Sequence, residues 1–422
     1  MARNSMSTTT APTCRRLANF LAVFGPGLVV MLADTDVGSV VTAAQSGVQW
    51  GYRLLLLQVI LMPILYMVQE LTVRLGVFTG RGHGELISET FGRFWAWVSV
   101  GGLMVASTGA MLSELSGVAG VGDMYGVPRM ISLPLAVVTL IGIVMTGSYR
   151  RVERAAIAVG LFELAFFIVA WAAGPNLGTM LHDSVRIPWT NGDYLFLVAA
   201  NIGAVIMPWM IFYQQSAIAD KKLRPEHFAA ARMDTAIGAV VTQLIMAAVL
   251  IAAAATLATG ASANGDGPSL SSVGEVSGAL TPLLGETIGR AVFSAGVLGA
   301  GLVAAIVASL ALAWGLGEVT GYKHSLELHP LRARWFYGTY AACVVLAAVI
   351  VGLVPNLVSL NIAVQVMNAL MLPLVLGFLF LLATRALPPE QRLRGWYRHV
   401  VLVVGSIVCA LGVWGSISSL FT

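Results

Sequence analysis

The chain has 422 residues, of which 58% are hydrophobic and only 10% charged, with a net charge of +4. Soluble domains carry about 25% charged residues, so this composition excludes a soluble enzyme and leaves an integral membrane protein. The small basic excess then reports topology rather than nucleic-acid binding.

Residues 1–17 are polar and lack the apolar core and cleavage site of a signal peptide, so they read as a cytoplasmic tail. From 18 to 422 a single transmembrane domain is expected, with spans near 18–46, 54–77, 94–121, 129–148, 155–174, 191–216, 235–258, 287–318, 335–354, 358–384 and 399–419. Eleven spans put the termini on opposite sides. Of the 24 Lys and Arg, all but Arg53, Arg129, Arg186 and Arg290 fall on the side of the N-terminus. That side is therefore cytoplasmic, and the C-terminus lies outside.

The first span is interrupted by Asp34-Thr35-Asp36-Val37-Gly38-Ser39. A charged side chain at bilayer depth costs roughly 3 kcal/mol or more, and irregular backbone survives there only where it lines a cavity or is buried in protein. The segment reads as a cation site. Asp36 is its prime ligand, because an unpaired carboxylate there has few structural uses. Asp34 is a second ligand, a partner to a buried base, or a carboxyl held protonated by its neighbour.

In the second span Glu70 pairs with Arg74, one helical turn on. Glu114 sits well inside the third span with no base nearby, which suits a proton or ion relay. Glu163, in the fifth, has no readable direction. The sixth span holds Asn201, Gly203, Ala204, Met207, Pro208 and Trp209. Pro208 lacks a donor and frees a carbonyl about one turn earlier, near Ala204. Glycine and proline also kink membrane helices for packing alone, and a methionine is commonly core filler.

Two broken helices five spans apart are the signature of an inverted-repeat secondary transporter with its site at the bilayer midplane. The repeats would cover about 18–174 and 191–384, with 399–419 as an extra helix. Residues 217–234 read as a solvated connection between the halves, and 259–286 as the longest external loop. All six histidines, including His83, fall in or beside loops and read as solvated. Cys14, Cys343 and Cys409 suit packing rather than a disulfide framework. No nucleophile with a base and no cofactor motif is present, so no enzyme and no cofactor are expected.

With these residues in hand, the chain resembles the Nramp (natural resistance-associated macrophage protein) family of divalent-metal transporters over roughly residues 25 to 385. The carriers are Gly25-Pro26, Asp36-Val37-Gly38-Ser39 where the family has Asp-Pro-Gly-Asn, Trp50-Gly51-Tyr52, Gln69, Leu75-Gly76, Thr79-Gly80, and Tyr149 to Arg154. Gly203-Ala204 and Met207-Pro208 stand where the family has Gly-Ala and Met-Pro-His. The resemblance implies an all-α, leucine-transporter-type 5+5 inverted repeat plus an eleventh helix. It implies metal coordination by the Asp36 carboxylate, the Ala204 carbonyl and the Met207 thioether, with Ser39 in place of a ligand asparagine. Glu114 falls on a family glutamate implicated in proton transfer, and Gln365 on a glutamine able to approach the metal.

Four positions depart from the family. Val37 replaces proline, Ser39 replaces asparagine, and Trp209 and Gln214 stand where histidines line the proton route. Such departures occur in an Nramp-related magnesium-transporter branch, whereas Met207 keeps a soft donor suited to Mn²⁺ or Fe²⁺. The expectation is a secondary transporter importing a divalent cation by alternating access, with the metal as substrate rather than cofactor. The alternative is a transporter of a small organic solute or sodium-coupled substrate on the same fold. A bacterial inner membrane is the expected location and the lipid bilayer the only partner, with no nucleic acid and no obligatory protein partner.

Overall fold

The computed structural model describes residues 25–257, 270, 272–280, 286–354 and 357–418, and every regular element among them is a helix. In chain order these are α1 (Pro26–Asp34), α2 (Val37–Trp50), α3 (Leu55–Thr79), α4 (His83–Phe91), α5 (Arg93–Met124), α6 (Arg129–Val144), α7 (Tyr149–Gly160), α8 (Ala165–Ala172) and α9 (Leu177–Ser184). There follow α10 (Gly192–Val205), α11 (Pro208–Asp220), α12 (Phe228–Leu257), α13 (Val273–Leu280), α14 (Glu286–Thr320), α15 (Arg334–Leu353), α16 (Leu357–Arg385) and α17 (Gly395–Ser418).

Nine stretches among the described residues are long and apolar enough to cross a membrane, one of them running through both α2 and α3. Separating those two and adding the shorter α6 gives the eleven expected spans, and the chain is a multi-pass membrane protein. Residues 18–24 of the first span, and Cys14, lie outside the described residues, as does most of the loop 259–286, within which α13 forms.

The first and sixth spans are broken as expected. α1 opens on Pro26, whose fixed φ suits the first helical position and whose missing N–H costs nothing there. It stops at Asp34, and α2 restarts after Asp36, whose carboxylate accepts from Ser39 N at 2.5 Å as an N-cap. α10 ends at Val205, and α11 begins at Pro208 after an extended Met207.

Two groups of bonds hold these half-helices. α2 and α10 are joined by Ser39 Oγ donating to Ala204 O at 3.0 Å and by Asn201 Nδ2 donating to Ser46 Oγ at 2.8 Å. Gln58 Nε2 of α3 adds a bond to Asn201 Oδ1 at 2.6 Å. α1 and α11 are tied instead to α12. Asp234 accepts from Gly25 N at 3.2 Å and Gly27 N at 2.9 Å, satisfying first-turn donors of α1 and opposing its positive end. The next residue, Thr235, accepts from Gln214 Nε2 of α11 at 2.9 Å.

Several expectations need correcting. The stretch 217–234 is not a solvated connection: α11 runs to Asp220 and α12 starts at Phe228, so only 221–227 intervene. Its charges misled, because Asp234 is buried as the cap of α1 rather than solvated. The fifth span begins earlier, at Tyr149, and is interrupted by a 3-10 turn at Leu161–Leu164. The helices α4, α9 and α13 were not foreseen, being far shorter than the roughly 20 apolar residues that mark a span.

His83, read as solvated, is fully buried at the start of α4. Its Nδ1–H donates to Gln215 Oε1 at 2.9 Å, and its ring stacks edge-on against Phe212 at 4.8 Å. Burial pushes its pKa down to about 4. The unfolded chain, with an ordinary histidine near 6.5, then binds more protons than the folded one between these values. This stabilisation, on the order of 3 kcal/mol, is complete above pH 6.5 and is lost as pH falls toward 4. The melting temperature should accordingly drop more steeply from pH 7 to 5 in wild type than in His83→Gln, as read by a thermal-shift series on the detergent-purified protein. Parallel curves would show that His83 is not the group responsible.

Candidate metal-binding site

The two breaks meet. Asp36 is fully buried at the positive end of α2, and Ser39, one turn on, bonds across to Ala204 in the last turn of α10. Ala204 O would be an orphan carbonyl of that helix end, and the Ser39 hydroxyl takes one of its two lone pairs. The other remains for a ligand. Met207, three residues on, is buried at the second break.

Gln365 comes from α16, its Nε2 lying 3.3 and 3.4 Å from the two Asp36 oxygens. Asn368 Nδ2 holds the Gln365 oxygen at 2.9 Å, which fixes the amide with its nitrogen toward Asp36. This approach needs glycines. A Cβ on Gly38 would collide with the Gln365 amide, and one on Gly203 with the Gln365 backbone oxygen.

Glu114, on α5, is also fully buried and stands beside this site. Its Oε2 accepts from Val37 N at 3.1 Å, and its Oε1 makes no hydrogen bond. The Val37 substitution thus has a local consequence: a proline there would lack the N–H that holds Glu114. Trp209 is buried with its Nε1 unpartnered, and Gln214 is committed to Thr72, at 2.5 Å, and Thr235. Neither can carry a proton as an imidazole would. Glu70 meets Arg74 at 2.6 Å, as expected, and Arg232 at 3.5 Å.

Asp34 parts company with Asp36. It faces α12, where Thr242 Oγ1 and Gln243 Nε2 lie 3.4 and 3.5 Å from its Oδ2. Glu163, undecided from sequence, is buried in the 3-10 turn of the fifth span and reaches toward Thr35. Four acids, Asp34, Asp36, Glu114 and Glu163, are therefore buried around the first break. None is paired with a Lys, Arg or His among the described residues.

No group of three or more His, Cys, Asp or Glu among the described residues could close on a metal. The arrangement can offer one carboxylate with neutral oxygens and a thioether. Such a set would partly replace an ion's water shell.

A family model described as natural resistance-associated macrophage protein-like matches residues 27–418. The divalent metal cation transporter MntH of Brucella suis is 28% identical over 306 residues, 69% of this chain, which spans 65% of that protein's length. MntH of Aeromonas hydrophila is 28% identical over 416 residues, 96% of each chain. Among solved structures, a manganese transporter of Eremococcus coleocola superposes with TM-score 0.75 at 18% identity, covering 99% of this chain and 88% of that one. MhsT in complex with L-phenylalanine gives TM-score 0.59 at 14% identity, with 99% and 100% covered. Both share the leucine-transporter-type fold found here.

Proposed function

Since the chain belongs to the natural resistance-associated macrophage protein-like (Nramp) family, we propose that it carries a divalent metal cation across a bacterial inner membrane by alternating access. The observation that supports this best is the meeting of Asp36 and Ala204 at two helix breaks inside a buried core. Relatives bearing the name of divalent metal cation transporter support the same reading.

Asp36 supplies the charge. Ala204 O and Ser39 Oγ supply neutral oxygens and Met207 a soft donor, while Gln365, with its amide nitrogen rather than its oxygen toward Asp36, orients that carboxylate instead of approaching the metal as expected. Oxygen donors hold Mn²⁺ and Mg²⁺ alike, whereas a thioether ranks Mn²⁺ and Fe²⁺ ahead of Mg²⁺ and Ca²⁺. Glu114, held beside Asp36 by Val37 N–H, is the residue through which a proton would couple to the ion. The N-terminus lies in the cytoplasm, following the basic side of the loops.

The test is a competition series in proteoliposomes loaded with a metal-sensitive dye. Mn²⁺ entry should be saturable, suppressed by Fe²⁺ at equal concentration and only weakly by Mg²⁺ or Ca²⁺. Absence of entry for all four ions would end the metal-transport reading, and stronger suppression by Mg²⁺ than by Fe²⁺ would reverse the selectivity. Interior acidification measured alongside decides proton coupling.

A further inference from the structure

A second set of oxygens lies beyond Thr35, away from Asp36. Asp34 is the last residue of α1, at the helix end whose unpaired carbonyls carry partial negative charge. Its Oδ1 makes no hydrogen bond, and its Oδ2 has only the two long contacts to Thr242 and Gln243. Thr242 is engaged more closely with Thr35, their hydroxyl oxygens 2.6 Å apart. Gln243 is 1% exposed, and its Oε1 has no partner. The amide can turn that oxygen inward at the loss of one long contact. On the far side of Thr35, neither oxygen of the buried Glu163 makes a close hydrogen bond.

These groups are nearly all acceptors. Two threonine protons and one distant amide cannot satisfy them, and a buried carboxylate without a counter-charge costs several kcal/mol. Asp36 enjoys the positive end of α2, but Asp34 sits at the negative end of α1. The missing complement is a positive charge, a proton on Asp34 or a bound cation in its place, and broken half-helices place coupling ions at such C-terminal ends. The donors are hard oxygens with neither sulfur nor imidazole, which disfavours a transition metal. What separates this set from the one at Asp36 is the absence of a thioether, which leaves only hard oxygens of the kind that hold sodium.

We infer that Asp34, Thr35, Thr242 and Gln243 form a sodium site distinct from the divalent-cation site at Asp36, with Glu163 as a flanking charge. That the two sites are separate rests on Asp36 binding the divalent cation; the sodium site itself does not. Asp34 and Asp36 then divide the labour of one helix break, each facing the ion its own half-helix favours.

The test is equilibrium binding of ²²Na⁺ to the purified full-length protein at neutral pH with choline as the replacing cation. Binding should be saturable in wild type and at least about tenfold weaker, or about 1.4 kcal/mol, in both Asp34→Asn and Gln243→Leu. Sodium should also raise the wild-type melting temperature, which checks the result where a variant folds poorly. In Asp36→Asn, sodium binding should persist while Mn²⁺ binding is lost. No saturable sodium binding by wild type, or sodium binding that falls with Asp36 rather than Asp34, overturns the inference. Sodium binding without any Mn²⁺ binding by wild type would leave it standing and remove the divalent-cation reading instead.

Discussion

Asp36→Asn is expected to reduce divalent-cation uptake to the background of protein-free liposomes and to weaken Mn²⁺ binding about 100-fold or more, some 2.7 kcal/mol. The substitution removes one charge and little else. Asparagine is as good an N-cap as aspartate, so the bond to Ser39 N and the start of α2 survive. Its amide oxygen still accepts from Gln365 at the Oδ1 place, and only the long contact at the Oδ2 place, 3.4 Å, is lost to the new N–H group. What it cannot do is offset a divalent charge in a site whose other close donors are neutral. Calorimetric Mn²⁺ titration and dye flux on the same preparation check this, with the melting temperature as a control for folding. Flux equal to wild type would remove Asp36 from the ion path.

Gly203→Ala should destabilise the protein by about 1–3 kcal/mol through overpacking, lowering the melting temperature by about 2–4 °C for each kcal/mol, and should cut uptake more deeply than it cuts yield. Even a methyl group at this position runs into the backbone oxygen of Gln365, and Ala369 N lies 2.8 Å from where it would stand. Backbone cannot step aside like a flexible side chain, so α10 and α16 must separate. Gln365 then withdraws from Asp36. Gly338→Ala is the matched control, since nothing lies within 4 Å of its added Cβ on α15; it should be neutral or stabilising by up to about 1 kcal/mol. Equal melting temperatures for Gly203→Ala and wild type would mean that the helices tolerate the wider spacing.

The spans were legible because each is a long apolar run, and the two breaks because Asp, Gly and Pro interrupt such runs visibly. Asp36 and the Ala204 carbonyl followed from those breaks, and Ser39 and Met207 from the family resemblance. The rest was hidden for a physical reason. Asp34 and Asp36 look equivalent at two residues' separation, and only α12, some 208 residues later, draws Asp34 toward Thr242. Asp234 gave itself away in sequence only as one charge in a basic loop, because a cap on a distant helix leaves no local periodicity. His83 reads as solvated and Glu163 has no readable direction for one reason: burial is decided by neighbours from other spans.

The bonds holding the half-helices fall into two blocks, one containing α2, α10 and Gln58 of α3, the other containing α1, α11 and the adjacent pair Asp234 and Thr235 on α12. Between them run Thr35 and Ile206, outside any helix, so backbone rotation there breaks no helical ladder bond. That plane is a mechanical seam, bridged by the bond from Thr72 Oγ1 of α3 to Gln214 Oε1 of α11 at 2.5 Å. Asp36, Ser39 and Ala204 lie on one side of it, while Met207 opens α11 on the other. On the proposed reading of the site, sliding the blocks past one another would change the distance from the Met207 sulfur to all three oxygen donors at once, so the donor count of a bound ion would follow the position of the seam.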